Sequence, residues 1–153
     1  MKVTIQPSIS HGSVKIPPSK SNAHRAIICA ALSNGKSTIS NIDYSVDIQT
    51  TIDCMRKLGA NIICHKDSVE IIGIPDFNQL KDNHIECNES GSTLRFLIPI
   101  FSLTNQKVVF TGKNRLLKRP QKVYEDLFKE NNECKKRLAQ VQKLELVSFA
   151  SRG

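Results

Sequence analysis

The feature that most constrains this chain is an internal repeat. Residues 19–40 read S-K-S-N-A-H-R-A-I-I-C-A-A-L-S-N-G-K-S-T-I-S, and residues 90–112 read S-G-S-T-L-R-F-L-I-P-I-F-S-L-T-N-Q-K-V-V-F-T-G. Both run Ser-x-Ser, an Arg, an apolar helix ending at a Leu, a polar turn with Asn and Lys, and a β-branched strand. Leu32, Asn34 and Lys36 map onto Leu103, Asn105 and Lys107 at a constant offset of 71, with one residue of slip between Arg25 and Arg95. Self-similarity at a fixed spacing marks a duplicated supersecondary unit.

Each copy continues in the same order. After Asp43 to Asp47, which suit the charging and capping of a helix start, Ile48, Ile52, Met55 and Leu58 recur at helical spacing and stop at Gly59. Two short strands follow, 61–65 and 69–72, turning at Lys66-Asp67-Ser68. The second copy is led in by a strand at Ile85-Glu86-Cys87. Beyond its strand it runs through Lys113 to Arg119 to a helix starting at Pro120, with Val123, Leu127 and Phe128 on one face. The fold class is α/β (α+β), built of repeated βαβαββ units. Lead-in strands occupy 1–18, the first unit 19–75, a truncated second unit 84–132, and a divergent basic tail 133–153. In that tail Leu138, Val141, Leu144 or Glu145, and Val147 suggest a short basic amphipathic helix, with a weak terminus from Ser148 on. An incomplete lobe leaves apolar strands uncovered, which predicts self-association.

Chemistry concentrates where the repeat starts its helices. Lys20, Ser21 and Arg25 sit on or beside the first turn of the first helix, behind the extended Pro17-Pro18 approach. A helix start offers unpaired N–H groups and the positive end of the macrodipole, so these side chains frame a pocket for a small, multiply charged anion such as a phosphate ester. His24, one turn on, either lines that pocket or lies on the helix surface.

The totals fit this reading. A net charge of +8 suits phosphate substrates and equally raises nucleic acid as a partner. Against nucleic acid stand the absence of Trp, only two Tyr, and lysines scattered outside Lys135-Lys136-Arg137. Five cysteines, an odd number without a C-x-x-C pair, point to reduced thiols and no metal site. No apolar run is long enough for a bilayer and the first residues lack a signal-peptide block, so a cytoplasmic location and no membrane partner are expected. Asn34-Gly35-Lys36-Ser37-Thr38 imitates the end of a P-loop, but its order is helix then strand.

Three ordered motifs resemble one family. Pro18-Ser19-Lys20-Ser21-x-x-x-Arg25 is similar to the first signature of the 5-enolpyruvylshikimate-3-phosphate synthases. Glu89-Ser90-Gly91-Ser92-Thr93-Leu94-Arg95 resembles the second, and Gly112-x-x-Arg115-x-x-x-Arg119-Pro120 the third. The related transferase acting on UDP-N-acetylglucosamine shares the fold but lacks the Ser-Lys-Ser...Arg pattern. The resemblance, over residues 1 to about 131, implies two similar lobes of βαβαββ units with the active site between them. It implies transfer of the enolpyruvyl group of phosphoenolpyruvate to the 5-hydroxyl of shikimate 3-phosphate, without metal or organic cofactor. It places Lys20 at both substrates and in catalysis, Ser21 and Arg25 at shikimate 3-phosphate, and Gly91 and Arg119 with Lys20 at phosphoenolpyruvate. Arg95 and Arg115 are supporting cations. Glu89 stands where many members carry Asn. Family members are far longer, so the implied function carries an alternative, a remnant that binds phosphate esters without turnover, and a complementary polypeptide would have to supply the missing lobe. In the family, Val3 to Ile5 would pack with that lobe. A small basic nucleic-acid-binding protein is the third reading.

Overall fold

The computed structural model describes residues 2–4, 6, 7, 9, 11–74, 80–104, 106–124 and 126, and the backbone of 145–148. In chain order its elements are α1 (Lys20–Leu32), β1 (Lys36–Ser40), α2 (Val46–Leu58), β2 (Asn61–Cys64), β3 (Ser68–Ile72), β4 (His84–Glu86), α3 (Gly91–Phe101), β5 (Val109–Gly112), a 3-10 turn (Leu116–Lys118) and β6 (Glu145–Ser148).

Local chemistry sets the bounds. Ser19, Ser45 and Ser90 cap the three helices, each side chain accepting the N–H of the third residue beyond it. Ser45 therefore takes the capping duty expected of Asp43, while Asp47 charges the first turn of α2. Gly59 ends α2 at φ 124°, where a Cβ would be strained. Gly73 runs so close under the Ser33 carbonyl that no side chain fits there.

The first unit folds into a three-stranded antiparallel sheet in the order β1-β3-β2, with Lys36 opposite Ile72 and Asn61 opposite the same residue from the other side. The second forms a parallel sheet in the order β4-β5-β6. Helices α1, α2 and α3 pack on one another and on the strands. Ile27, Ala31, Ile48, Ile52 and Met55 from the first unit join Leu94, Leu97, Phe101 and Phe110 from the second in one continuous buried core. Phe101 meets Phe110 edge to face at a centroid distance of 5.7 Å. The thiols of Cys54 and Cys87 are buried there, and their mutual contact and burial push the Cys54 thiol pKa up.

Several expectations are corrected. The described residues between 2 and 18 form no strand, Val3 and Thr4 included, because no neighbouring strand among the described residues pairs with them; Ile5 lies outside the described residues. Glu145–Ser148 is a strand where the apolar spacing suggested a helix and a weak terminus. Its backbone pairs in parallel with β5, Val109 opposite Glu145 and Gly112 opposite Ser148, so an open sheet edge overrides the helical period. Leu138 and Val141 lie outside the described residues. Helical backbone does begin after Pro120, at Lys122–Tyr124, but Val123 is 69% exposed rather than on a buried face, and Leu127 and Phe128 lie outside the described residues.

Candidate functional site

The first two turns of all three helices meet, joined by a buried chain of polar side chains. His24 Nδ1 of α1 is 2.7 Å from Thr51 Oγ1 of α2, which is 2.8 Å from Thr93 Oγ1 of α3. Thr93 donates its hydroxyl to Ser90 Oγ at 2.6 Å, and the same oxygen accepts the Thr93 N–H. With that proton spent on Ser90, the Thr51 hydroxyl donates to Thr93 Oγ1 or to the Asp47 carbonyl 3.3 Å away, and in either case Thr51 Oγ1 accepts from His24 Nδ1–H. The neutral ring then leaves Nε2 as a bare acceptor, and that atom is buried without a partner among the described residues. His24 is 1% exposed, so it lies in the core and not on the helix surface. Burial lowers its pKa from the ordinary 6.5, with Asp47 opposing and Lys20 reinforcing the shift.

This tie brings the three helix N-termini together, each with capped but incompletely used N–H groups. Lys20 Nζ reaches Asp47 Oδ2 at 2.7 Å, joining the starts of α1 and α2. Arg25 turns toward α3: its Nη1 donates to the Ser21 carbonyl at 3.3 Å and its Cζ stands 5.7 Å from the centre of the Phe96 ring. Ser21 is exposed beside it.

At the start of α3, Arg119 is drawn over Gly91. A Cβ on Gly91 would stand 2.5 Å from Arg119 Nη1, so glycine is what lets the guanidinium lie against the helix start. Arg119 is held there as the extended residue closing the 3-10 turn, φ −70° and ψ 137°, ahead of Pro120. Arg115 opens that same turn and is exposed. Arg95 is exposed on α3, and its carbonyl accepts the Tyr124 hydroxyl at 2.8 Å.

An open cleft of about 410 Å³ runs between the start of α2 and the loops flanking β4 and β5, lined by Val46, Asp47, Asn88, Glu89 and Lys113. Asn88, at φ 47°, braces it from both sides: its amide donates to Thr50 Oγ1 at 2.9 Å, and its carbonyl accepts the Lys113 N–H at 2.7 Å. The Glu89 carboxylate accepts from Asn114 Nδ2. Lys113 Nζ lies 3.3 Å from Glu86 Oε1. Of the cleft residues, sequence reasoning gave Asp47 only the charging of a helix start and gave Asn88 and Lys113 no role in a site, although Lys113 directly follows the Gly112 that opens the third motif. Among the described residues no three His, Cys, Asp or Glu side chains gather as a metal site, and no helix is long and apolar enough to cross a membrane.

Comparison with known proteins follows this geometry. The family model described as EPSP synthase (3-phosphoshikimate 1-carboxyvinyltransferase) matches residues 5–145. The 3-phosphoshikimate 1-carboxyvinyltransferase of Clostridium perfringens (strain SM101 / Type A) is 58% identical over 132 residues, which are 84% of this chain and 30% of that protein. That of Clostridioides difficile (strain 630) is 51% identical over 138 residues, 84% of this chain and 31% of that protein. An EPSP synthase structure from Acinetobacter baumannii superposes with a TM-score of 0.70 at 26% identity, covering 79% of this chain and 28% of that one. The chain thus spans about 30% of the length of the curated relatives it matches.

Proposed function

This chain belongs to the EPSP synthase family, and from that membership we propose that its three helix starts form one wall of a site for enolpyruvyl transfer. The reaction moves the enolpyruvyl group of phosphoenolpyruvate to the 5-hydroxyl of shikimate 3-phosphate and releases phosphate, a cytoplasmic step toward aromatic amino acids. The 5-hydroxyl gives up its proton as its oxygen adds to the enol carbon, and the methylene carbon takes a proton and becomes a methyl. The resulting tetrahedral intermediate then loses phosphate and a proton of that methyl, which regenerates the methylene.

In this reading Ser21 and Arg25 hold shikimate 3-phosphate at the start of α1, and Gly91 and Arg119 hold phosphoenolpyruvate at the start of α3. Lys20 touches both substrates and steadies the departing phosphate, as a compact charge suits. Arg95 and Arg115 support the field. The observation that carries it is the Arg119 guanidinium resting on Gly91: a planar fork of donors beside free helix N–H groups is a ready carboxylate or phosphate clamp. The test is calorimetric titration of the chain with shikimate 3-phosphate and with phosphoenolpyruvate. Saturable binding, weakened at least tenfold by Arg119→Ala for phosphoenolpyruvate and by Arg25→Ala for shikimate 3-phosphate, supports the reading. Equal response from parent and variants overturns it.

A second reading concerns turnover and rests on the 30% coverage of the relatives. One wall supplies orientation and charge stabilisation only in part, and each is worth several kcal/mol of the barrier. The chain alone then binds phosphate esters without releasing phosphate, and a complementary polypeptide carrying the rest of the family's length restores release. Phosphate release by the purified chain alone would refute that reading.

A further inference from the structure

The buried polar chain and the proposed substrate contacts belong to the same helix turns. Lys20 and His24 lie one turn apart on α1, as Asp47 and Thr51 do on α2, and the two pairs face each other like rungs. Lys20 Nζ meets Asp47 Oδ2 at 2.7 Å, and His24 Nδ1 meets Thr51 Oγ1 at 2.7 Å. The outer rung is a solvent-screened ion pair, which holds a helix weakly, while both residues of the inner rung are buried. On the proposed function an anion at Lys20 competes for the outer rung. The inner rung then carries the alignment of α1 on α2.

On its other side Thr51 faces α3. Of the two acceptors open to its hydroxyl, Thr93 Oγ1 at 2.8 Å is nearer than the Asp47 carbonyl at 3.3 Å. Thr93 in turn bonds Ser90, the cap of α3 and the neighbour of Gly91. Helix α2 is itself fastened along the second unit. Thr50 Oγ1 accepts from the Asn88 amide at 2.9 Å, Cys54 Sγ reaches the Glu86 carbonyl at 3.5 Å, and Lys57 Nζ donates to the His84 carbonyl at 2.5 Å. Thr50, Cys54 and Lys57 share one helix face, so this stripe seats α2 along β4 and makes it the frame for both other helix starts.

Given the substrate contacts proposed above, on which this rests, we propose that Thr51 is a positioning residue for both substrates. Its hydroxyl takes the His24 ring on one side and Thr93 on the other, and so sets the distance between the Lys20–Arg25 turn of α1 and the Gly91 start of α3. Thr51 is fully buried, so it acts only through the residues it holds. A site assembled from separate helices needs its groups within about 0.5 Å of their working places. Buried, satisfied hydrogen bonds specify such a placement where apolar packing alone tolerates sliding. Thr51→Val fills the same space and leaves no bond to either helix. Thr51→Ser keeps both bonds and loses only a methyl.

Calorimetric titration of the full chain with shikimate 3-phosphate and with phosphoenolpyruvate, well below every melting midpoint, separates position from stability. Thr51→Val is expected to weaken both at least fivefold, and Thr51→Ser to stay within about twofold of the parent. Ile52→Val shrinks the core beside Thr51 without touching the polar chain; it is expected to lower the melting midpoint and leave both affinities unchanged. A second readout needs no ligand: the amide proton and nitrogen shifts of Ser21 and Gly91 are expected to move in Thr51→Val and to hold in Thr51→Ser. If Thr51→Val does not fold, Thr51→Ala removes the same hydroxyl and is read in its place. Affinities in Thr51→Val equal to the parent's, Thr51→Ser as weak as Thr51→Val, or Ile52→Val weakening binding as much would each overturn the proposal. A parent chain that binds neither compound refutes the proposed function instead. The amide shifts then decide the positioning role, and Ser21 and Gly91 unmoved by Thr51→Val overturn it.

Discussion

Lys20 Nζ and Asp47 Oδ2 stand 2.7 Å apart, so the cation at the start of α1 already has a counter-ion on the start of α2. The Lys20 side chain is 55% exposed and the Asp47 side chain 31%, which makes this a screened surface pair worth at most about 1 kcal/mol to the fold. On the proposed function, a phosphate arriving at Lys20 would compete with Asp47 for the same ammonium.

Asp47→Asn is therefore expected to strengthen binding of shikimate 3-phosphate several-fold while changing the melting temperature little. Lys20→Ala is expected to weaken the same binding at least tenfold. Calorimetric titration of both variants at low salt, with a melting curve for each, checks the pair of outcomes.

Gly91→Ala separates fold from site. The added methyl meets the end of the flexible Arg119 side chain, which can swing away, and alanine is the better helix former. Stability is expected to hold or rise by up to about 1 kcal/mol. Phosphoenolpyruvate binding is expected to fall at least tenfold, because the methyl stands where the guanidinium lies and where the proposed function puts the anion. Weak binding with an intact melting curve is the expected combination.

Thr51 is the hub of the buried polar chain, and Thr51→Val keeps its shape while removing its hydroxyl. His24 Nδ1 and Thr93 Oγ1 then lose their shared partner inside the core. A loss of about 1–3 kcal/mol is expected from leaving such groups unsatisfied. Urea denaturation at neutral pH measures it, and Ile63→Thr at a half-exposed strand position serves as a control with little effect.

His24 makes stability depend on acid. Its folded pKa is lowered below 6.5, so between the two values the unfolded chain binds more protons. The contribution is complete above pH 6.5 and drains as pH falls through the folded value. Denaturation midpoints are expected to drop between pH 7 and pH 5 in the parent chain, and His24→Gln is expected to flatten that slope.

The helices and strands of the first unit are legible because short-range chemistry specifies them: Gly59 terminates α2, and Ile48, Ile52, Met55 and Leu58 keep the helical period, although Ser45 and not Asp43 supplies the cap. The basic helix starts are legible for the same reason, since Lys20, Ser21 and Arg25 are neighbours along the chain. What joins the starts is not. The His24–Thr51 and Thr51–Thr93 bonds link residues 27 and 42 positions apart, and no local pattern marks a histidine that three packed helices will bury. The strand at Glu145–Ser148 escapes for a related reason: an unpaired edge of β5 decides its conformation, and that edge is visible only after the chain has folded.

The shared core has a consequence for how this protein can be taken apart. Duplicated segments suggest two modules that could be expressed separately, yet Ile48 and Ile52 of the first copy and Leu94, Leu97 and Phe101 of the second belong to a single buried cluster. Ancestry here is modular and cooperativity is not. A protease cut or a gene split between β3 and β4 would leave each fragment holding half an interior, so the smallest piece that folds is the pair.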